Sequence, residues 1–391
     1  MTNLQIPRGL ASDGIRRCIQ LGVALMVLLG ALPSRAHAQR WVDSRYPYIG
    51  SSANDFPLIS VRFDWRRPVE DYLSPLPYLG DVSLDGGISF KGSYFLSAQF
   101  RAPGLKEGWR LASTALISRE ARFGFFGLGN NSSFDNALDN ENQPFFYRLR
   151  RQRALIQSEL SRRVVNHVYV SGALAFEHNL LSSLPGPSIF RDSIAPEITD
   201  NDVTGRVSLV FDTRDTEFNT TRGIMIEAGA LAGSGGDGYH RIYGSIRGFV
   251  PIRQGTVIAA RILGSGMGGD PPLHARFELP MWENTLIMFG GNDTHRAFDD
   301  GRFAGEHVLF GNLEIRHNIL DLATLGAISA IGFVDAGRVF EGEKFRLTTD
   351  DLKVGEGAGL ALRLLRSTLF TFNLAHGDEG WNFTMNGRWL F

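Results

Sequence analysis

The final eleven residues, Trp381-Asn-Phe-Thr-Met-Asn-Gly-Arg-Trp-Leu-Phe391, put apolar side chains at 381, 383, 385, 389 and 391, with Asn382, Thr384, Asn386 and Arg388 between them. Such alternation predicts a strand with one greasy face. Its length matches the ~9 to 11 residues with which a tilted strand crosses a bilayer, and its aromatics lie near both ends, where interfacial girdles sit.

The opposite end carries an export pattern. Arg8, Arg16 and Arg17 precede an apolar run from Ile19 to Leu32, and Ala36-His37-Ala38 offers small residues at the spacing a signal peptidase reads. Gln20, Gly22 and Gly30 interrupt the run, which falls short of the ~20 residues a membrane helix needs. Residues 1–38 therefore read as a removed signal peptide and 39–391 as the mature chain. Cys18 stands before the apolar run, so it is not a lipoprotein acylation site, and no cysteine follows it. That excludes disulfides, thiolate metal ligands and thiol nucleophiles from the mature protein. The mature chain has a formal charge of −4 and no basic footprint for nucleic acid. No later apolar run is long enough for a spanning helix. An exported chain with 45 glycines, 28 phenylalanines and pervasive period-two alternation points to an outer-membrane barrel.

Alternation and turn signals predict an all-β fold: a 16-stranded antiparallel transmembrane β-barrel with strands near 45–51, 56–65, 81–90, 92–103, 108–123, 144–161, 164–180, 202–213, 222–233, 239–250, 254–266, 305–317, 328–340, 355–365, 366–376 and 381–391. An even count puts both termini in the periplasm. Connectors should then alternate between short periplasmic turns (104–107, 162–163, 251–253, the turn near 365–367) and longer surface loops (124–143, 181–201, 267–304, 341–354). The periplasmic run Asp212-Thr-Arg-Asp215 with Asn219 and Gly223 suits Asx-type turn bonding better than a hard-cation site, which needs more clustered oxygens.

Three segments share one potential constellation. Gly290-Gly291-Asn-Asp-Thr-His-Arg296-Ala-Phe298 lies in the longest surface loop, Gly311-Asn-Leu-Glu314-Ile-Arg316 on the next strand, and Gly332-Phe-Val-Asp335-Ala-Gly-Arg338 on the strand after it. Glu314 alternates with Leu313 and Ile315, and Asp335 with Val334 and Ala336, so both carboxylates face the lumen if the apolar residues face lipid. Like charges on adjacent strands repel unless a cation stands between them. Arg296 is the candidate: its planar, permanently charged guanidinium can bridge both acids and latch the loop inside. Gly290 and Gly291 are the hinge, and Phe298 is placed to pack against Phe333 or a lumen wall. The alternative is a set of solvated lumen charges with Arg296 exposed.

These motifs, in this order and together with Phe125-Phe-Gly-Leu-Gly-Asn130, resemble the bacterial surface antigen family, the sixteen-stranded barrels of BamA/TamA-type outer-membrane assembly and two-partner secretion. The resemblance implies that Arg296 and Phe298 take the Arg and Phe places of a Val-Arg-Gly-Phe loop, and that Glu314 and Asp335 take the acidic places on the following strands. His295 and Ala297 depart from the commonest form, and Ala297 adds a Cβ where the family turns tightly. The terminal aromatic strand resembles the sorting signal read by the barrel assembly machinery. Family members that handle other proteins usually carry periplasmic POTRA domains of ~75 residues; the sequence offers only Gln39 to Ser44 before the first strand, so the expectation is a minimal member with no periplasmic domain.

Three functions are compatible with this reading. One is an assembly or lipid-remodelling factor that opens sideways at the seam between the first and last strands; the others are a gated translocation pore and a structural surface barrel. The seam residues are Tyr46, Pro47, Tyr48, Ile49 and Gly50 on the first strand and Gly387, Trp389 and Phe391 on the last. Pro47 cannot donate to a ladder, and a sheet edge left open in lipid exposes groups that another strand can pair with. Expected partners are outer-membrane lipids, client outer-membrane proteins or a separate periplasmic protein, and the assembly machinery, with no nucleic acid. No enzyme is expected: the nine histidines show no metal spacing, no motif marks a Ser/His/Asp set, and no metal or other cofactor is implied.

Overall fold

The computed structural model describes residues 41–391 apart from 53–54, 70–73, 133, 136, 139, 141, 323–324 and 365–367. The signal-peptide segment 1–38, with Cys18, and the turn near 365–367 thus lie outside the described residues.

Sixteen antiparallel strands form one sheet, each hydrogen-bonded to the next along the chain. They are β1 (Val42–Ser52), β2 (Asp55–Arg67), β3 (Gly80–Ser89), β4 (Tyr94–Lys106), β5 (Trp109–Gly124), β6 (Arg148–Val165), β7 (Val168–Ser183), β8 (Glu197–Asp212), β9 (Gly223–Gly233), β10 (Gly238–Arg253) and β11 (Thr256–Asp270). After a long loop follow β14 (His307–Asp321), β15 (Gly326–Phe340), β16 (Lys353–Leu364), β17 (Thr368–Gly377) and β18 (Gly380–Asn386); the loop itself carries a small hairpin, β12 (Glu278–Met281) and β13 (Thr285–Met288). Among the described residues no helix is long and apolar enough to cross a membrane.

Alternation builds this sheet. On β17, Leu369, Thr371, Asn373 and Ala375 are buried on the inner face while Phe370, Phe372 and Leu374 are exposed on the outer one, because a barrel wall in lipid needs its apolar side chains outside. The same parity buries Glu314 between exposed Leu313 and Ile315, and Asp335 beside exposed Val334. The tight turns fall at 107–108, 166–167 and 254–255 rather than at 104–107, 162–163 and 251–253. The strands run on past their last apolar residues, since ladder bonds satisfy the backbone in the interface as well as in lipid. β1 spans eleven residues, longer than the stub expected at 45–51, and Pro47 sits in register with Val61.

The apolar core lies inside the barrel. One cluster joins Phe289, Phe298 and Phe303 of the loop to Phe310 and Phe333 of the wall, and a second joins Phe277 to Phe123, Phe125, Leu149 and Phe190. The turn 213–222 is closed by Asp215, whose carboxylate accepts from the Thr216 and Thr221 amides, and by Gly223 at φ 116°.

Candidate functional site

The loop 271–306 turns back into the barrel and bonds to inward-facing side chains around most of the wall. Gly290 and Gly291 start the return with φ of 109° and 78°. A Cβ on Gly290 would come within 2.5 Å of the Asp299 carbonyl, and one on Gly291 would overlap the Asp300 carboxylate, so both the dihedrals and the close approach require glycine.

Next comes a tight turn in which the Phe298 amide donates to the His295 carbonyl at 3.2 Å. It aims Arg296 at the wall. Its Nε and Nη2 donate to Asp335 Oδ2 and Oδ1 at 2.9 and 2.8 Å, its Nη1 to Glu314 Oε1 at 2.5 Å, and its backbone amide to Asp335 Oδ2 at 3.0 Å. The Phe333 ring lies under the guanidinium, 3.4 Å from the ring centroid to Cζ. Asn312 Nδ2 donates to Asp335 Oδ1 at 2.7 Å, and Arg316 Nε to Glu314 Oε2 at 2.7 Å. Every oxygen of the two acids thus has a donor, which offsets the cost of taking the four charges of Arg296, Arg316, Glu314 and Asp335 out of water.

The rest of the turn is fitted to the wall. His295 Nε2 lies 3.0 Å from the Lys353 carbonyl. Ala297 is buried where β16 and β17 present Gly355 and Gly377, whose missing side chains leave room for its Cβ. The extra methyl relative to the family's glycine is accommodated by small residues opposite, and the turn stays tight. Phe298 packs edge-on against His295 and Phe303, with centroids 4.6 and 5.0 Å apart, while Phe333 serves Arg296. Asn382 on β18 donates through Nδ2 to the carbonyls of Arg296 and Phe298 at 3.1 and 2.9 Å. Asn312, Arg316 and Asn382 share the inward parity of the predicted acids; that shared parity was the available signal for them.

A second set of anchors was not anticipated. Glu278, at the start of the β12–β13 hairpin, accepts from Arg151 Nη1 at 2.7 Å and from Arg153 Nη1 and Nη2 at 3.0 and 2.9 Å. The hairpin tip, 282–284, reaches the end of the barrel marked by the short turns. There Trp282 Nε1 donates to Ser161 Oγ at 3.0 Å, and Arg110 bridges Glu283 of the tip (Nε to Oε1, 2.7 Å) and Glu217 of the turn 213–222 (Nη1 to Oε1, 2.7 Å). Glu283 and Asn284 both sit in the left-handed region, at φ 58° and 57°. Asn284 is locked there by Glu159 and by the Ala112 carbonyl. At the other end, His274 is buried with Nε2 3.3 Å from Asp202 Oδ2. Burial alone would lower its pKa, but Asp200 and Asp202 raise it to about 9.

A buried arginine of the lumen loop thus lies between acids on two successive strands of a sixteen-stranded sheet. The Omp85 superfamily domain model matches residues 83–389. The chain belongs to that superfamily.

Solved structures similar to this Omp85 chain include BamA from Haemophilus ducreyi lacking POTRA domains 1–3, at 12% identity and a TM-score of 0.56, with 89% of this chain and 70% of that one covered. CdiB from Escherichia coli is 13% identical with a TM-score of 0.55, covering 91% and 62%; CdiB from Acinetobacter baumannii is 13% identical with a TM-score of 0.51, covering 88% and 58%. The chain thus spans less than two thirds of either CdiB. At these identities the likeness shows the fold alone, a β-barrel; membership of the Omp85 superfamily makes the chain an integral outer-membrane protein. No curated protein sequence matches the chain.

The Omp85 sheet order runs from β1 to β18, and among the described residues no ladder joins those two strands. Tyr48, Ile49 and Gly50 of β1 face, across a cavity of about 500 Å³, Phe370 of β17 and 385–388 at the end of β18, with Gly290, Asn292 and Asp293 of the loop on its inner side. Tyr46 and Pro47 lie further along β1. The placement of Gly387, Trp389 and Phe391 on the last strand is corrected: β18 ends at Asn386, and 387–391 leave the sheet and fold inward. Trp389 donates through Nε1 to Asn219 Oδ1 at 2.9 Å, and its ring centroid lies 4.2 Å from Arg316 Cζ, while the Phe391 ring centroid is 5.0 Å from Arg261 Cζ and 6.0 Å from the Phe249 ring centroid. Lumen-facing guanidiniums give these rings a cation to stack on that lipid does not offer.

Proposed function

We propose that this Omp85 barrel assists the assembly or translocation of other outer-membrane components, with the loop 271–306 as a latched lumen plug and the space between β1 and β18 as a lateral exit. In this reading both termini are periplasmic, and the long connectors 125–147, 184–196, 271–306 and 341–352 are on the cell surface. Its partners are outer-membrane lipids, client outer-membrane proteins or a separate periplasmic protein, and it has no catalytic role. One observation carries the reading: the strand bordering the unladdered edge also holds the latch, through Asn382 to the carbonyls of Arg296 and Phe298. A barrel whose plug and seam share a strand can couple release of one to opening of the other. Backbone groups left unpaired at such an edge each cost several kcal/mol in lipid, which an incoming strand would recover.

A gated pore is the second reading, favoured by the hairpin tip that Arg110 ties to the short-turn end. A disulfide separates the two. Ile49→Cys and Met385→Cys in a Cys18→Ser background allow the seam to be locked by oxidation. The lateral-exit reading expects the reduced protein, but not the oxidised one, to restore the outer-membrane protein and lipid composition of a deletion strain. Equal restoration by both would remove lateral exit and leave the pore.

A further inference from the structure

The outer face of β4–β7 carries two arginines, Arg119 and Arg150, that the latch and seam do not use. Outward positions on β6 read Arg150, Gln152, Ala154, Ile156, Ser158, Leu160 and Arg162; on β5 they read Trp109, Leu111, Ser113, Ala115, Ile117 and Arg119. Each strand therefore shows an apolar belt. It ends in arginine at the long-loop end.

Register fixes how close these arginines stand. Arg119 is directly opposite Gln152 and, on its other side, Tyr94. Arg150 is the diagonal neighbour of Arg119, ~7 to 8 Å away, where like charges are unfavourable. Among the described residues neither forms an ion pair, and the Nε of each is buried without a hydrogen-bond partner. Arg122, in the bulge between Glu120 and Phe123, is engaged elsewhere, with the Phe145 ring centroid 5.3 Å from its guanidinium, and adds nothing to this pair. No outward position on β4 to β7 named by the register holds an Asp or Glu. The nearest in register is Glu197 on β8, beyond Ser182.

Height completes the case. From Arg150 to Arg162 a strand rising ~3.3 Å per residue and tilted ~40° climbs roughly 30 Å, the thickness of the hydrocarbon core. Arg162 stacks on Trp109 at 4.9 Å, as a girdle residue does. Arg119 and Arg150 then lie at the opposite headgroup level, which the proposed orientation makes the outer leaflet.

We propose that Arg119 and Arg150, flanked by Tyr94 and Gln152, bind the phosphate of a phosphorylated glycolipid of the outer leaflet. Guanidinium forks match phosphate oxygens, and stems laid along the apolar belt keep the charged heads at the interface. The inference rests on the orientation given under the proposed function, and not on lateral opening.

The test uses the purified full chain in nanodiscs, with bisphosphorylated lipid A, its dephosphorylated form and inorganic phosphate as probes, and native mass spectrometry to count bound lipid. Wild-type protein is expected to retain bisphosphorylated lipid A, and Arg119→Gln/Arg150→Gln to bind it at least tenfold more weakly. Arg162→Gln, at the other girdle, is expected to bind as wild type does. Equal retention by the double variant, or equal binding of dephosphorylated lipid A, overturns the proposal. Competition by inorganic phosphate at the same concentration as lipid would also overturn it, because the site would then be for free anions. Heat-modifiable migration shows that the double variant is folded. Orientation is read separately: in intact cells, a membrane-impermeant maleimide should label Asn142→Cys. Labelling without lipid binding sinks the site, whereas lipid binding without labelling sinks the orientation and assigns the patch to the inner leaflet.

Discussion

Arg388 and Asp293 form an ion pair, with Nη2 2.7 Å from Oδ1, that ties the inward-folded tail to the lumen loop. Asn386 and Asn382 reinforce it from β18. The latch, the seam and the tail are thus one connected assembly. The pair itself is half-exposed and contributes ~0.2 to 1 kcal/mol. Asp293→Asn should leave overall stability nearly unchanged but speed disulfide formation between cysteines at 49 and 385. An unchanged rate would show that the tail does not restrain the seam.

Arg296→Ala should be far more damaging. It leaves Glu314 and Asp335 buried without their shared cation, a loss of roughly 3 to 5 kcal/mol. The expected outcome is cleavage of the loop 271–306 by added protease, with the β-strands intact. Arg296→Lys should rescue in part, since an ammonium supplies charge but not the two-carboxylate fork. Wild-type resistance in Arg296→Ala would contradict a latch.

The fit of Ala297 against β16 predicts a compensating pair. A Cβ at Gly355 would meet Ala297 Cβ at 2.4 Å and His295 Cε1 at 2.8 Å, so Gly355→Ala should cost about 1 to 3 kcal/mol by overpacking. Adding Ala297→Gly should recover part of this and leave the His295 contact. Urea unfolding of the single and double variants measures the recovery.

His274 predicts a pH response of the loop's first segment. Its folded pKa is raised to about 9 from an ordinary 6.5. Because the raised value belongs to a base, the stabilisation is full below about pH 6.5 and is lost as pH rises through 9, to an extent on the order of 3 kcal/mol. Amide exchange at 271–277, corrected for intrinsic rate, should accelerate between pH 7 and 10. His274→Asn should abolish the trend, and a trend that persisted in it would assign the response to another group.

The hairpin tip predicts a conductance change. Arg110→Gln removes the bridge between Glu283 and Glu217 and leaves two acids facing each other. In planar bilayers the variant should show more frequent open events than wild type, and a variant with 278–288 replaced by a short glycine-serine link should stay open. Silence from both would argue that the lumen is blocked elsewhere.

Much of this protein is determined locally. Period-two alternation gives sixteen strands and assigns Glu314, Asp335 and Asn382 to the inner face, because side-chain direction in a strand depends on parity alone. Chemistry then singles out Arg296 as the cation between two acids, and glycine at 290 and 291 as the hinge.

Tertiary structure decides the rest, for a physical reason visible in two places. Trp389 and Phe391 continue the alternation of Trp381, Phe383 and Met385, yet they leave the sheet, because guanidiniums from β11 and β14, distant in sequence, stand inside the barrel. Likewise nothing near 278–288 marks a hairpin that crosses the lumen. Its anchors Arg110, Arg151 and Arg153 lie more than a hundred residues earlier, on the adjacent strands β5 and β6, which meet the hairpin only because the sheet curves around it. Parity tells each side chain which face it occupies; only the barrel decides what it meets there.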